Sequence, residues 1–304
     1  MANDRSTPPA GVENTLESQI REAGSIIDPV FAKSLYAPLL ALAPQGAQVL
    51  EDVAYGSDPR HRLDVYLPVQ TEARHTPVLI FLHGGGFIRG DKADRANVGH
   101  YFARHGVLAI LANYRLGPDH HWPAGAEDAS AVLSWALEHV ASYGGNPEHI
   151  VLAGESAGAA HVAATSLIRR FHPPQGLRIA GAFLISGVYN VELELLARRQ
   201  LHIATPDPRN EAYFGTDFAS YGAMSTVELI DAKSFPLVIS YAELDPIQMQ
   251  VQAGELFARL VTRHGFTPAI EVVRGHNHLT QIYSINSEDE ALAASLLAFV
   301  KDPV

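Results

Sequence analysis

The run Ile150-Val151-Leu152-Ala153-Gly154-Glu155-Ser156-Ala157-Gly158-Ala159-Ala160 is apolar up to a glycine, presents one serine, and resumes as small helix-forming residues. It reads as a strand turning sharply into a helix. A G-x-S-x-G turn exposes its serine at a strained bend, and the flanking glycines let two backbones approach without side-chain collision. Ser156 therefore stands at a helix N-terminus as a candidate nucleophile. The pentapeptide alone is weak evidence. Its context strengthens it: a strand-like run precedes it, a helix-like run (Ala157 to Arg170) follows, and suitable partners lie on both sides.

Working outward, continuous apolar strands alternate with amphipathic helices from Pro77 onward. The spacing predicts strands Val78 to Leu82, Val107 to Tyr114, Ile150 to Ala153, Ile179 to Ser186, Leu237 to Tyr241 and Ala269 to Val273. Between and after them it predicts helices Ala93 to His105, Ala126 to Ser142, Ala157 to Arg170, Met249 to His264 and Asp289 to Phe299. Strands apolar on both faces belong inside a parallel sheet. Upstream, Val49 to Tyr55 and Arg62 to Leu67 read as an edge hairpin around the turn Gly56-Ser57-Asp58-Pro59, giving eight strands in all. The N-terminal part carries helical pieces interrupted by Pro29 and Pro38, a helical cap over residues 1–45, ahead of a catalytic domain over 46–304. Residues 189–224 are too polar and too rich in Pro and Gly for a plain crossover helix, so they form a second cap piece or a long loop bordering the site.

A serine so placed needs a base and an orienting acid from later strand ends, in the order serine, acid, histidine. Asp245 follows the strand Leu237 to Tyr241, and Pro246 stiffens its loop and keeps the strand from continuing. Glu243 is the competing carboxylate. After the last strand, Arg274-Gly275-His276-Asn277-His278-Leu279-Thr280 offers two bases two residues apart; His278 is preferred partly because it lies nearer the apolar segment that could support its ring and partly on the resemblance given below, with His276 the competitor. His264, before Gly265, reads as a histidine at a helix C-terminus. Upstream, His83-Gly84-Gly85-Gly86-Phe87 follows a strand where an oxyanion hole needs its second half. The backbone N–H groups of Gly85, Gly86 and Ala157 are the expected donors, each worth about 3 kcal/mol of barrier, and Phe87 is expected to line the substrate site.

Composition narrows the classes. The chain has 304 residues, 47% hydrophobic and 18% charged, with a net charge of −11 and no cysteine. No run is long enough to span a membrane, and no basic cluster beyond the pairs Arg169-Arg170 and Arg198-Arg199 suggests nucleic acid. The absence of cysteine removes disulfides, thiol nucleophiles and thiolate metal sites. The start, Met1 to Asn14, lacks the basic-then-apolar arrangement of a secretory signal, so a cytoplasmic location is the expectation.

With His83-Gly84-Gly85-Gly86, Asn113-Tyr114-Arg115-Leu116-Gly117-Pro118, Trp122-Pro123-Ala124, Asp128, the serine elbow and Asp245-Pro246 together, the chain resembles the α/β-hydrolase superfamily. Within it, the resemblance is to the hormone-sensitive-lipase-like carboxylesterases, over roughly Val49 to Phe299. The resemblance implies an α/β-hydrolase fold, with an eight-stranded, mostly parallel sheet flanked by helices and a helical cap built largely from the N-terminus. It implies a serine esterase that needs no cofactor, acts on a small-molecule ester, and is compatible with a homodimer. Tyr114, Arg115 and Asp128 become scaffold around the site. The segment around His276 and His278 looks more like feruloyl or acetyl esterases and arylformamidases, which are the alternative activities; Gly117 stands where alanine is common. The apolar cap segment Ile26 to Leu42 suits short or aromatic acyl groups. Two other classes compete: a ligand-binding protein on this scaffold, and a metal hydrolase using His276 with His278 or His120 with His121, for which spacing places no third ligand.

Overall fold

A computed structural model describes residues 15–68, 76–200 and 208–304. The first fourteen residues of the expected cap and residues 201–207 of the 189–224 stretch lie outside them. In chain order the elements begin with α1 (Leu16–Ala23), α2 (Pro29–Leu40), β1 (Val49–Ala54), β2 (Arg62–Tyr66), β3 (Thr76–Leu82), α3 (Ala96–Arg104), β4 (Leu108–Ala112) and α4 (Ala124–His139). There follow β5 (Gly145–Glu155), α5 (Ala157–Leu167), β6 (Gly181–Ile185), α6 (Val191–Gln200), α7 (Pro208–Phe214), α8 (Thr226–Leu229), β7 (Leu237–Leu244), α9 (Ile247–Arg259), β8 (Ala269–Asn277), α10 (Thr280–Tyr283) and α11 (Ala293–Lys301).

All eight strands join one sheet in the order β1-β2-β4-β3-β5-β6-β7-β8. Only the β1–β2 and β2–β4 pairs are antiparallel; the other five are parallel. The apolar residues of each central strand divide by parity between the two faces. Val78, Ile80 and Leu82 pack with Ala159, Val162 and Ala163 of α5 and with Val132 and Leu133 of α4. Leu79 and Phe81 pack on the opposite face with Val98 and Phe102 of α3 and Leu296 and Phe299 of α11. A sheet covered on both faces is why these strands read as unbroken apolar runs.

Two expectations change in detail. Pro29 opens α2 rather than interrupting it, and Asp28 caps that helix by accepting from the N–H groups of Val30 (2.8 Å) and Phe31 (3.1 Å). A proline at the first helical position has no N–H to leave unpaired. Pro38 sits in the last turn of α2 and the helix runs past it to Leu40. The described parts of the stretch 189–224, residues 189–200 and 208–224, are largely helical. They hold α6 and α7, and Tyr213 and Phe214 at the end of α7 are buried against Phe87.

Candidate active site

The ladder registers carry the candidate residues to one edge of the sheet. Leu82 at the end of β3 pairs with Gly154 of β5, so His83 and Gly84 emerge beside Glu155 and Ser156. On the other side of β5 the Ser156 N–H donates to Ile185 O at 2.8 Å. Further along, Leu244 of β7 pairs with Asn277 of β8, which brings Asp245 and His278, each one residue beyond, alongside each other.

The elbow is strained as the motif requires. Ser156 has φ +51° and ψ −117°, outside the regions open to an L-residue without cost. The two glycines are steric necessities here. A Cβ on Gly154 would stand 2.6 Å from the Gly158 carbonyl carbon, and one on Gly158 would stand 2.2 Å from Leu82 O. Ala157, the first residue of α5, is buried directly behind the serine.

The glycine loop folds back in a left-handed course, with φ of +135° at Gly85, +60° at Gly86 and +70° at Phe87. A side chain at Gly85 would collide with Arg89 O at 1.9 Å. Phe87 is the one residue of the three that meets a steric penalty at positive φ. Packing holds it there: its ring stacks on Tyr213 at 4.9 Å and meets Phe214 and His161 edge-on at 5.1 and 5.5 Å. Below the loop, the His83 ring stacks on Tyr114 at 4.5 Å, and burial pushes its pKa down to about 4.

Asp245 and His278 are both buried, and the imidazole Nδ1 lies 2.7 Å from Asp245 Oδ1. Burial works against a positive charge on His278, but the Asp245 carboxylate outweighs it, and the pKa of the ring is raised above 6.5. Asp245 Oδ2 is occupied separately, accepting from Ser186 Oγ at 2.5 Å and from the Ala242 N–H at 2.8 Å.

The competing residues are engaged elsewhere. Glu243 accepts from the Gly275 N–H (2.8 Å) and pairs with Arg21 of α1 at 3.2 Å; these contacts hold its carboxyl below the usual range. His276 is buried between Thr280 Oγ1 and Asp289 Oδ1, each at 3.3 Å, and Asp289 in turn accepts from Tyr36 of α2 at 2.9 Å. His264 ends a π turn before Gly265, and His120 lies 3.7 Å from Asp58. Among the described residues no three His, Asp or Glu side chains are arranged to hold a metal ion. The expected scaffold pair forms: Arg115 meets Asp128 at 2.7 Å, and Tyr114 donates to His83 O at 2.7 Å.

Ser156, His278, Gly85, Gly86 and Phe87 all line one cavity of about 570 Å³, within the range of small-molecule sites. One wall comes from α2 and the residues just ahead of it, and it is mixed rather than apolar. Ile27, Val30 and Ala37 are joined there by Lys33 and Ser34, while Ile26 and Leu42 point outward, 41% and 86% exposed. The helix brings Lys33 and Ser34 to the cavity beside its apolar residues, which the apolar count of the segment did not reveal.

Residues 79–281 match the family model described as alpha/beta hydrolase fold. The chain belongs to that family. Among curated relatives, this hydrolase-fold chain is 36% identical over 123 residues to an isoprenylcysteine alpha-carbonyl methylesterase of Arabidopsis thaliana, covering 40% of this chain and 28% of the relative. It is 39% identical over 84 residues to a carboxylesterase of Mycobacterium tuberculosis, covering 27% and 26%. The chain spans about a third of the length of the plant methylesterases it matches. Among solved structures, an esterase of Pyrobaculum calidifontis superposes with a TM-score of 0.71 at 22% identity, covering 96% of this chain and 98% of that one. Esterase B of Lactobacillus rhamnosis gives 0.71 at 18%, covering 90% and 95%. At such identities the likeness is one of fold. No helix among the described residues is long and apolar enough to cross a membrane.

Four residues of this hydrolase fold that touch the candidate site were not read from the sequence. Ser186, just past β6, donates to Asp245, and Gln281 Nε2 donates to both Ser186 Oγ (2.8 Å) and His278 O (3.2 Å). Ser186 has φ +49°, and nothing in its local sequence marks it. Glu155 and Arg95 form a buried ion pair under the glycine loop. Here a signal existed: a carboxylate inside an otherwise apolar strand end must be paired once buried.

Proposed function

We propose that the chain is a serine carboxylesterase. The observation that carries this reading is the 2.7 Å Asp245–His278 contact, with His278 on the cavity that Ser156 and the three-glycine loop also line. Ser156 Oγ attacks the ester carbonyl carbon while His278 Nε2 takes its proton. The carbonyl oxygen, now negative, is met by the N–H groups of Gly85, Gly86 and Ala157. The intermediate collapses as His278 returns the proton to the departing alcohol oxygen, and an acyl-enzyme remains. Water then attacks the acyl carbon by the same route, releasing the acid and restoring Ser156. Asp245 holds the imidazole with Nε2 free to act and stabilises its charged form. The substrate is a small ester with a short or aryl acyl group, suited to a cavity of this size; its mixed wall admits a polar substituent on the distal side. The plant relatives are named for a methyl ester, which makes a small alcohol the first leaving group to try.

The test is hydrolysis of p-nitrophenyl acetate together with stoichiometric labelling by a fluorophosphonate, the adduct mapped to the Ser156 peptide by mass spectrometry. No turnover, or a label elsewhere, rejects the reading. The pH dependence follows from the direction of the His278 shift. The base acts only when neutral, and Asp245 favours the charged ring, so kcat/KM rises with pH through an inflection above 6.5 and then levels off. Activity flat from about pH 5 to 8, with circular dichroism unchanged, is incompatible with this base.

Asp245→Asn tests the orienting role. An amide keeps the shape but favours the wrong imidazole tautomer, so kcat falls by about 10⁴-fold with KM little changed. A loss below about tenfold excludes Asp245 as the orienting acid.

A further inference from the structure

The serine mechanism uses Gly85 and Gly86 as donors, but nothing in it says what aims their amides. One peptide unit, the bond between His83 and Gly84, stands immediately before them and is gripped at both ends. Its carbonyl accepts from Tyr114 Oη at 2.7 Å, and its N–H donates to Glu155 Oε1 at 2.9 Å. The same Glu155 oxygen accepts from Arg95 Nε, and both side chains are buried, 2% and 7% exposed. Contact is close enough that a Cβ on Gly84 would stand 3.2 Å from Ser156 Cβ and 3.3 Å from Glu155 Cδ. Arg95 is itself held: Nη1 donates to Asp94 O at 2.8 Å, and the guanidinium lies 5.0 Å from the centre of the Tyr283 ring. Tyr283 closes α10, the helix behind His278, and lines the cavity with it.

We propose that Glu155 is the positioning residue of the oxyanion loop and that Arg95 makes its charge tolerable there. The proposal rests on the esterase reading. A carboxylate is the strongest acceptor available to the Gly84 N–H, so it fixes the peptide plane from which the next two amides project. Left alone, that carboxylate would repel the oxyanion forming a few ångströms away. Arg95 cancels it, and the pair presents the loop with a rigid hydrogen bond and no net charge. The arrangement also couples three separate segments, the loop after β3, the elbow after β5 and the helix after His278, through one buried ion pair.

The experiment compares the parent with the double variant Glu155→Leu/Arg95→Met, in which a buried ion pair is replaced by apolar residues, an exchange that folds often tolerate. Two ligands separate ground-state from oxyanion binding. An aryl methyl ketone binds as a substrate carbonyl. The corresponding trifluoromethyl ketone is attacked by Ser156 Oγ, whose proton passes to His278 as the ketone oxygen becomes the oxyanion. The expected result is a folded double variant with KM within about twofold of the parent and kcat lower by about 10- to 100-fold. Affinity for the trifluoromethyl ketone falls by a similar factor and affinity for the methyl ketone does not. A folded double variant that keeps kcat and the ratio of the two ketone affinities within about threefold of the parent overturns the proposal, leaving the pair as a structural contact only. If the double variant does not fold, Glu155→Gln carries the test. It keeps an oxygen for Gly84 but leaves Arg95 without an anion, and the same split is expected at about five- to tenfold; unchanged values again overturn the proposal. A parent that neither hydrolyses esters nor prefers the trifluoromethyl ketone rejects the esterase reading itself, a result distinct from the other two.

Discussion

Ser156→Ala is expected to lower turnover of p-nitrophenyl acetate by about 10⁶-fold while the far-ultraviolet circular dichroism and melting temperature stay close to the parent's. The hydroxyl carries little packing, since Ser156 is only half-buried at the floor of an open cavity and its main-chain bonds persist in alanine. Its N–H still reaches Ile185 O, and its carbonyl still accepts from the Ala160 N–H at 3.1 Å. Alanine also tolerates the backbone about as well as serine does, so the strain at φ +51° is unchanged. What disappears is the oxygen proposed to form the acyl-enzyme. Residual activity above about a tenth of the parent's would refute the nucleophile assignment, and so would fluorophosphonate labelling that persists in the variant.

The second large effect separates two histidines that lie two residues apart. His278→Ala removes the group that bonds Asp245 and lines the cavity, and turnover should fall by about 10⁶-fold, as it does when such a base is deleted. His276→Ala acts differently. Its ring bridges Thr280 and Asp289, and Asp289 is bonded to Tyr36 of α2, so the loss falls on the attachment of the N-terminal helices. Removing a buried polar partner costs about 1–3 kcal/mol, seen as a lower melting temperature, while kcat changes by less than about tenfold. The opposite ranking of the two variants in kcat would move the base to His276. Burst kinetics on both, with urea denaturation alongside, decide the matter.

Much of this molecule was legible because its signals are local. The central strands announce themselves as Val78 to Leu82 and Ile150 to Ala153, because a strand buried on both faces has no polar alternation to preserve. Gly154 and Gly158 flag the elbow since no other residue fits against Leu82 O and the turn of α5. Asp245-Pro246 and the two late histidines are recognisable by position, just beyond apolar strands. Where the reading blurred, the signal was not local. Pro38 suggested a break, yet at the last turn of a helix a missing N–H costs one ladder bond. The segment Ile26 to Leu42 looked like an apolar lining, yet α2 brings Lys33 and Ser34 to the cavity beside Val30 and Ala37, and Leu42 is 86% exposed. Composition counts residues in a segment; it does not say which way a helix is rotated.

The sequence by itself determined the alternating α/β order, the eight strands, the sharp turn at Ser156, the glycine loop after β3 and the chain order of serine, acid and histidine. Each depends on neighbours within a few residues, through periodicity, glycine sterics or a strand end. Only the tertiary structure decided which late histidine faces Asp245, for that follows from the pairing of Leu244 with Asn277 across two strands 33 residues apart in sequence. The same holds for Ser186 and Gln281 at Asp245, for Glu243 turning to Arg21, and for Glu155 reaching Arg95 and Gly84. These are contacts between polar groups far apart in the chain. Burial strongly favours a partner for such groups, and no periodicity records which partner each finds; the packed sheet and its helices make that choice.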